Sequence, residues 1–407
     1  MSVTRMARAA LRRDRRARRV TIIGAGIGGL TLAVELRRRG IDVEVYEAAT
    51  DPRPAGDAVL LPANATRLLE RIGLEPDLGE AAATADGWVW RDGHTGAAIG
   101  RVLSAAEYAD RAGAPCYGID HADLHALLSE AFGTEGLHLG HRLVDLTDPG
   151  DGPVTLEFAG GESVEADLVI GADGPGSMLR EHVVGYDDAQ FSGCIAWRGI
   201  VPRSQLTLLP DPGRVQVWTG ADGHLMHHPV GNGDHAFLLV KRQLGPWAAD
   251  SWSWPADPDE HVHAYAGWHP AVVQMISAAP CSEHWALFHR PPLVTWSRGR
   301  ITLLGDAAHL MVPHHGQGAA QAIEDAIVLA DCLATDDWDR ATTTYEVRRR
   351  DRTRRIQIAS LAAADVLHLP DGPRAQARNK RLGSGDAYDR HLAWIHDHDV
   401  AEPGHRP

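Results

Sequence analysis

Cysteine is scarce in this sequence: Cys116, Cys194, Cys281 and Cys332 are the only four in 407 residues, and no two stand at the short spacing of a zinc site or a disulfide framework. A reducing cytoplasm is the expected compartment. Positive charge is in deficit, with 40 Lys and Arg against 54 Asp and Glu and a formal net charge of −14. That balance argues against nucleic acid as a main partner, because a protein that binds phosphate backbones needs a basic face. No apolar run approaches the length of a membrane span, and no internal repeat or low-complexity block appears. Phenylalanine (5) and tyrosine (7) are sparse, so tryptophan (12) supplies much of the large aromatic surface. What is present is an ordinary globular composition, 44% apolar and 23% charged, over a length that supports two or three packed units. Residues 1–20 form the one strongly basic stretch, with eight Arg against Asp14. It runs straight into a strand pattern without an apolar core or cleavage site, so residues 1–18 read as a disordered leader rather than an export signal or a basic arm.

Arg19-Val20-Thr21-Ile22-Ile23 is a β-rich run, followed by Gly24-Ala25-Gly26-Ile27-Gly28-Gly29 and a helical pattern over residues 30–39 that Gly40 stops. Val43-Glu44-Val45-Tyr46 then alternates with the period of a strand and ends at Glu47, 18 residues after Gly29. Together these make a complete βαβ dinucleotide-binding unit. Gly24 permits the tight turn, Gly26 lets backbone N–H groups approach a diphosphate, and Gly29 permits close contact of helix on strand. An acid at the distance of Glu47 suits a ribose hydroxyl. The unit alone does not choose between NAD and FAD.

Two later segments bear on that choice. Residues 166–174 are a buried-strand run ending in Asp173-Gly174, by themselves only a strand and a turn. Arg300-Ile301-Thr302-Leu303-Leu304 is another apolar strand. It leads into Gly305-Asp306-Ala307-Ala308-His309 and the loop Pro313-His314-His315-Gly316-Gln317-Gly318. A helix follows, with Ala319, Ala322, Ile323, Ala326, Ile327 and Ala330 at helical spacing. The start of that helix, with the amides of Gly316, Gln317, Gly318 and Ala319, favours an anion such as the N1–O2 edge of a reduced isoalloxazine. Asp306 suits a polyol hydroxyl. A metal reading of His309, His314 and His315 fails on spacing and lacks a supporting acid or thiolate set.

With these three motifs in order, the sequence resembles the single-component FAD-dependent aromatic hydroxylases, the group of salicylate, 3-hydroxybenzoate and 6-hydroxynicotinate hydroxylases. The resemblance covers most of residues 19–400. It is carried further by Ser177 and Arg180, by Glu324-Asp325, and by the runs 61–65, 224–230, 267–270 and 285–291. It implies an α/β fold: a Rossmann-type FAD-binding domain, discontinuous over 19–80, 121–180 and 284–335, with an inserted, mostly antiparallel β-sheet substrate domain from 81–120 and 181–283. A C-terminal helical segment over 336–400 and a disordered tail over 401–407 complete it. The resemblance also implies tightly bound FAD, with contacts at Ile27, Gly28, Ala58, His121, Asp173 and Pro313 besides the residues above. NADH or NADPH is the transient hydride donor and O2 the oxidant. The implied reaction is hydroxylation of a small aromatic, phenolic or aromatic-acid substrate through a flavin C4a-hydroperoxide. The sequence departs from its relatives at His121, where an arginine is usual, at Asp57, where the residue is usually small, at His289, where an aspartate is more common, and at Leu310, a frequent proline.

Such a reaction requires the ring to be held near the flavin, water to be kept out, and a base to take a ring-hydroxyl proton. His224 is the first candidate and His227 the second. Strand alternation puts His224 and His228 on one face and His227 on the other, so only one set can face the flavin. In a chain with 23 histidines, the reading of each as a core or solvated side chain stays open. His228, Pro313 and His314 are the expected substrate contacts. Trp197, Trp218 and Trp268 fit core filling better than ring stacking. Residues 340–367 read as a long helix whose Arg-rich part, 348–355, is a solvated face or a subunit contact. Residues 370–385 read as a loop, and 386–398 as a short helix over the substrate cavity or a dimer partner. The chain is expected to act as a monomer or homodimer. Alternatives on the same scaffold are a flavin epoxidase, oxidase, reductase or tailoring hydroxylase of a larger secondary metabolite, or a non-catalytic flavin sensor. A plain nicotinamide dehydrogenase conflicts with the Gly305-Asp306 segment.

Overall fold

In the computed structural model, which describes residues 19–51, 58–99, 103–150, 152–231, 233–243, 245, 247, 251–279, 281, 283–383 and 389–401, Arg19–Ile23 is a strand buried from Val20 onward. The expectations for 1–18, for Gly56 and Asp57, for 402–407 and for the start of the 386–398 helix lie outside these residues. The strand is central in a six-stranded sheet ordered Ser297–Arg298, Ile301–Leu303, Leu168–Gly171, Arg19–Ile23, Asp42–Glu47, Leu137–Leu139. All neighbours run parallel except the Ser297–Arg298 edge. The intervening helix is Ile27–Arg38 and starts three residues before the apolar pattern does, because Gly28 and Gly29 lie in its first turn. A Cβ on Gly29 would stand 2.1 Å from the Gly24 carbonyl oxygen. One on Gly28 would stand 2.5 Å from Leu304 Cδ2 and 3.0 Å from Ala322 Cβ. The helix Gly318–Thr335 therefore crosses the first helix at a point where only glycine fits.

An eight-stranded sheet stands opposite. Its order is Ser253–Pro255, Glu283–His289, Gln190–Val201, Asp234–Arg242, Gly223–Val230, Val215–Gly220, Gly87–Asp92, Leu103–Ser104. Pairing is antiparallel except between Val215–Gly220 and Gly87–Asp92. Glu283–His289 is part of this sheet, so the boundary expected at 284 falls after His289: the strand's backbone completes the ladder with Gln190–Val201. Alternation gives the sheet two faces. On the far face Trp197, Trp218, Leu225, Phe237 and Leu239 pack under the helices Glu260–Ala264 and Pro270–Ala278, with Trp268 and Met275 in the same cluster. The tryptophans named from sequence are thus core residues.

The C-terminal part departs most from expectation. Trp338–Leu367 is a 30-residue helix as foreseen, but Pro373–Gly383 is also helical rather than a loop. Pro373 opens it at a position where its missing N–H costs nothing, and Ala375, Arg378 and Leu382 supply a buried stripe. Asp389–Ala393 is a π-helical turn leading into Trp394–His396. The Arg-rich run is not simply a solvated face. Arg349 is fully buried and Arg352 nearly so. Arg349 Nε donates to Asp325 at 2.7 Å, and Arg352 holds both oxygens of Glu324 at 2.7 Å while donating to the Ile395 carbonyl. Arg349 also pairs with Glu324, so replacing it by methionine leaves buried Asp325 without a guanidinium and Glu324 with Arg352 as its remaining countercharge. The substitution is expected to cost ~3–5 kcal/mol of stability, read as a lower urea midpoint.

No described helix is long and apolar enough to cross a membrane. Among the described residues no group of three or more His, Cys, Asp or Glu could hold a metal ion. All four thiols are free and buried.

Candidate active site

The carboxyl ends of the parallel strands and the near face of the large sheet enclose a cavity of about 530 Å3, the usual place for a ligand in such a sheet. At one end are Gly26, Ile27, Gly28 and Gly29. Gly26 is the N-cap of the first helix with φ −72°, it brings no capping side chain, and a Cβ built on it meets nothing within 4 Å. The first-turn N–H groups therefore open onto empty space, which suits a diphosphate. Gly24, at φ +106°, does not line the cavity: its Cβ would fall 2.2 Å from the Ala172 carbonyl oxygen, so it makes the turn and lets the strands approach. The Glu47 carboxylate accepts from the N–H groups of Ala25 and Ala49 at 2.8 Å and is held beside that turn. His125 Nε2 contacts the Ala25 carbonyl at 2.8 Å from the other side. Ala58 and His121 line the same region.

At the other end are Gly305, Asp306, Pro313, Gly316, Gly318 and Ala319. The helix Gly318–Thr335 also begins without a side-chain cap. Burial raises the pKa of Asp306, against a smaller lowering by His309. The segment is anchored from behind: Asp325 accepts from the Gly305 N–H at 3.0 Å and contacts His309 Nε2 at 2.6 Å. Burial opposes ionisation of Asp325, but His309 and Arg349 outweigh it and its pKa lies below the ordinary carboxylate value. Arg180, fully buried, donates to the carbonyls of Ala307 and Ala308 at 2.9 Å and pairs with Asp187 at 2.6 Å. It thus ties the Asp173-Gly174 segment to the Gly305-Asp306 segment. Two uncapped helix starts and one acid facing a single cavity fit FAD: diphosphate at the first helix, a polyol at Asp306, an anionic ring edge at the second helix.

Several residues named from sequence are placed elsewhere. The Asp173 carboxylate accepts from Ser177 Oγ at 2.6 Å and Leu179 N–H at 3.3 Å, so it serves the start of the Met178–Val184 helix rather than the cavity. Gln317 turns inward, its Oε1 accepting from Asn64 and Gln321. His227 stands on the far face, where its Nε2 accepts from Trp218 Nε1 at 3.2 Å; that placement removes it as a base. His224 shares the near face with Met226 and His228, but it is buried against His368, Nδ1 to Nε2 at 2.7 Å, and does not line the cavity. His228 lines it; His314 does not, and points into a neighbouring space. Sequence reasoning missed Arg198, Met226, Leu238 and Trp285 on the sheet wall. Met226 was legible from alternation with His224 and His228. Arg198 and Trp285 needed the pairing of Gln190–Val201 with both neighbouring strands.

A dinucleotide cradle at the carboxyl edge of a parallel sheet, closed by a second sheet, defines the class: a flavin-dependent oxidoreductase with an enclosed substrate face. The sequence matches the FAD binding domain family over residues 17–359, and the chain belongs to that family. It is 39% identical over 390 residues to 3-amino-4-hydroxybenzoate 2-monooxygenase PtmB3 of Streptomyces platensis, covering 95% of this chain and 98% of the relative. It is 37% identical over 348 residues to 6-hydroxynicotinate 3-monooxygenase of Bordetella bronchiseptica, covering 84% and 90%. The crystal structure of Klebsiella pneumoniae HpxO complexed with FAD and uric acid is similar with a TM-score of 0.83 at 27% identity, covering 93% and 96%. The protein is a single-component FAD-dependent aromatic hydroxylase that uses NAD(P)H and O2.

Proposed function

We propose that the substrate is a single-ring aromatic acid carrying a hydroxyl or amino group, of the kind named for the Streptomyces and Bordetella relatives. Arg198 carries this reading. It is the one Arg or Lys among the described residues lining the cavity, and its guanidinium carbon lies 4.1 Å from the centre of the Trp285 ring. A guanidinium stacked on an indole keeps its donors directed along its edge, in the geometry that grips a carboxylate. When bound and reduced by NAD(P)H, FAD supplies the activated oxygen. The chain's own residues do the rest: the uncapped helix starts hold diphosphate and ring edge, Asp306 accepts from the polyol, and Met226, Leu238 and Leu287 keep water from the ring. His228 is the histidine of its strand that reaches the cavity, and it takes the role of base first expected of His224. The four buried thiols, none in a disulfide, favour a reducing cytoplasm.

Removing the charge tests the reading. Arg198→Ala is expected to raise KM for 3-amino-4-hydroxybenzoate about 10- to 100-fold, the worth of a charged hydrogen-bonded contact, and to leave 2-aminophenol, which lacks the carboxylate, nearly unchanged. An FAD-loaded enzyme whose NAD(P)H oxidation no hydroxylated or aminated aromatic acid stimulates would sink the proposal.

A further inference from the structure

The long helix Trp338–Leu367 has two sides. On one, Arg349 and Arg352 reach Glu324 and Asp325 of the helix Gly318–Thr335. On the other runs a stripe with a regular spacing. Its first half is Arg340, Thr344, Val347 and Asp351, and its second half is Arg354, Ile358, Leu361 and Asp365, at alternating steps of four and three residues. That 3.5-residue repeat keeps the side chains on one line, about 38 Å long at 1.5 Å per residue. It is the repeat by which a helix buries a seam against a second helix. Here the seam faces outward: Thr344 is half-buried and the other seven are exposed, Val347 by 62% and Ile358 by 53%. Val294, 80% exposed on the loop whose carbonyl accepts from Arg350 Nη1 at 2.6 Å, widens the apolar surface beside it. Asp351 and Arg354 stand one turn apart, yet neither forms an ion pair with any described residue. Asp365 holds Arg242 at 2.8 Å and remains 76% exposed.

We propose that this stripe is the contact between two copies of the chain, their long helices packed antiparallel about a two-fold axis midway between Asp351 and Arg354. The order of the residues carries the inference, because the stripe is its own complement when turned end over end. Asp351 of one copy then falls opposite Arg354 of the other, Val347 opposite Ile358, Thr344 opposite Leu361, and Arg340 opposite Asp365. A two-fold contact repeats every such pair, as a self-complementary interface requires. Charge sets the direction. A parallel pair in register would put Asp351 on Asp351 and Arg354 on Arg354, which is repulsive. Equal numbers of Arg and Asp also leave no net charge for a lipid surface or a nucleic acid to recognise. Exposed ion pairs contribute at most about 1 kcal/mol each, so burial of Val347, Ile358 and Leu361 supplies the affinity and the charges fix the register. The seam uses neither Arg349 nor Arg352, so pairing leaves the anchor behind the flavin loop intact.

Sedimentation velocity of the full-length, FAD-loaded enzyme, from about 1 to 100 µM, should show a species of twice the 44.0 kDa chain mass growing with concentration. Asp351→Arg opposes like charges twice across the axis and should weaken association roughly 10- to 100-fold; Arg354→Asp should do the same. The double variant Asp351→Arg/Arg354→Asp exchanges the charges, restores both pairs and should associate as the parent does. Ile358→Glu should weaken association too. All these positions are exposed, so FAD content and melting temperature, compared at about 1 µM, should match the parent. Cross-linking fixes the register. Val347→Cys/Ile358→Cys should give a covalent dimer under mild oxidation, whereas Ile358→Cys alone, with its two thiols roughly 16 Å apart along the seam, should not; the four native thiols are buried and add no background. A parent that stays monomeric at the highest concentration, whether the face is bare or kept for another protein, overturns the proposal. So does undiminished association of folded Asp351→Arg, a double charge variant as weak as the single ones, or bridging by Ile358→Cys alone. If Ile358→Glu fails to fold, the charge exchange decides.

Discussion

Lowering the pH from 7 to 5 is expected to remove about 4 kcal/mol of stability through two buried histidines alone, His314 and His396. Burial is the largest cause in each case and takes both to about 3, from an ordinary value of 6.5. His314 is faced by His224, His315 and His368; His396 is faced by His315, Arg352, the Trp88 ring and the Tyr108 hydroxyl, 3.1 Å from its Nδ1. No acid among these neighbours offsets the burial. An unfolded histidine takes up a proton as pH falls through 6.5, while the folded one stays neutral until about 3. Stability is therefore full above 6.5 and drains away below it. At pH 5 each group is 1.5 units past its unfolded value, about 2 kcal/mol apiece. Against a typical total of roughly 5–15 kcal/mol, that is a large share. His368, lowered to about 4 chiefly by burial, pulls the same way. The carboxylates act later. Asp325 and Glu324 are held below their ordinary values, so their contribution starts to fall only once pH drops below about 4. Urea unfolding at pH 8, 7, 6 and 5 should show the loss beginning near 6.5, and His396→Phe should flatten it. A midpoint constant from pH 7 to 5 would contradict the account.

What the sequence disclosed follows from how local each signal is. The glycine fingerprint, the Gly305-Asp306 turn and the uncapped helix after Gly318 each lie within one short stretch, so their residues could be named before any contact was known. His227 and His228 were separable because a strand alternates. Which face met the cavity was not separable, since that depends on the helices Glu260–Ala264 and Pro270–Ala278 covering the other one. Asp173 and Gln317 failed as cavity residues for a related reason. A carboxylate next to a glycine turn and an amide in a glycine loop look the same in sequence whether they meet a ligand, a helix start or a neighbouring Asn64. The Arg-rich helix is the plainest case. Its charge pattern reads as solvated until Glu324 and Asp325, more than twenty positions earlier, are seen to bury two of its guanidiniums.

Two alanine substitutions in the glycine fingerprint are expected to lose FAD for different reasons, and the difference locates the diphosphate. At Gly29 the added Cβ would stand 2.1 Å from the Gly24 carbonyl oxygen. That oxygen cannot yield, because Gly24 is fixed by its N–H bond to the Tyr46 carbonyl at 2.8 Å and by its positive φ. The helix Ile27–Arg38 has to withdraw instead, and the same withdrawal loosens its contact with Ala322 and Leu304 across Gly28. Gly29→Ala should therefore lower the melting temperature of FAD-free protein and also weaken FAD binding by roughly 100-fold, about 2.7 kcal/mol. At Gly26 the backbone has an ordinary φ of −72° and a Cβ meets nothing within 4 Å. Gly26→Ala should fold and melt as the parent does. Its methyl group then occupies only the space over the first-turn N–H groups, where a diphosphate must come into direct contact. Loss of FAD by Gly26→Ala, measured as flavin absorbance per chain with the FAD-free melting temperature unchanged, places the diphosphate on that helix start. Full flavin content in Gly26→Ala would move the diphosphate off the first helix and undo the assignment of the cradle.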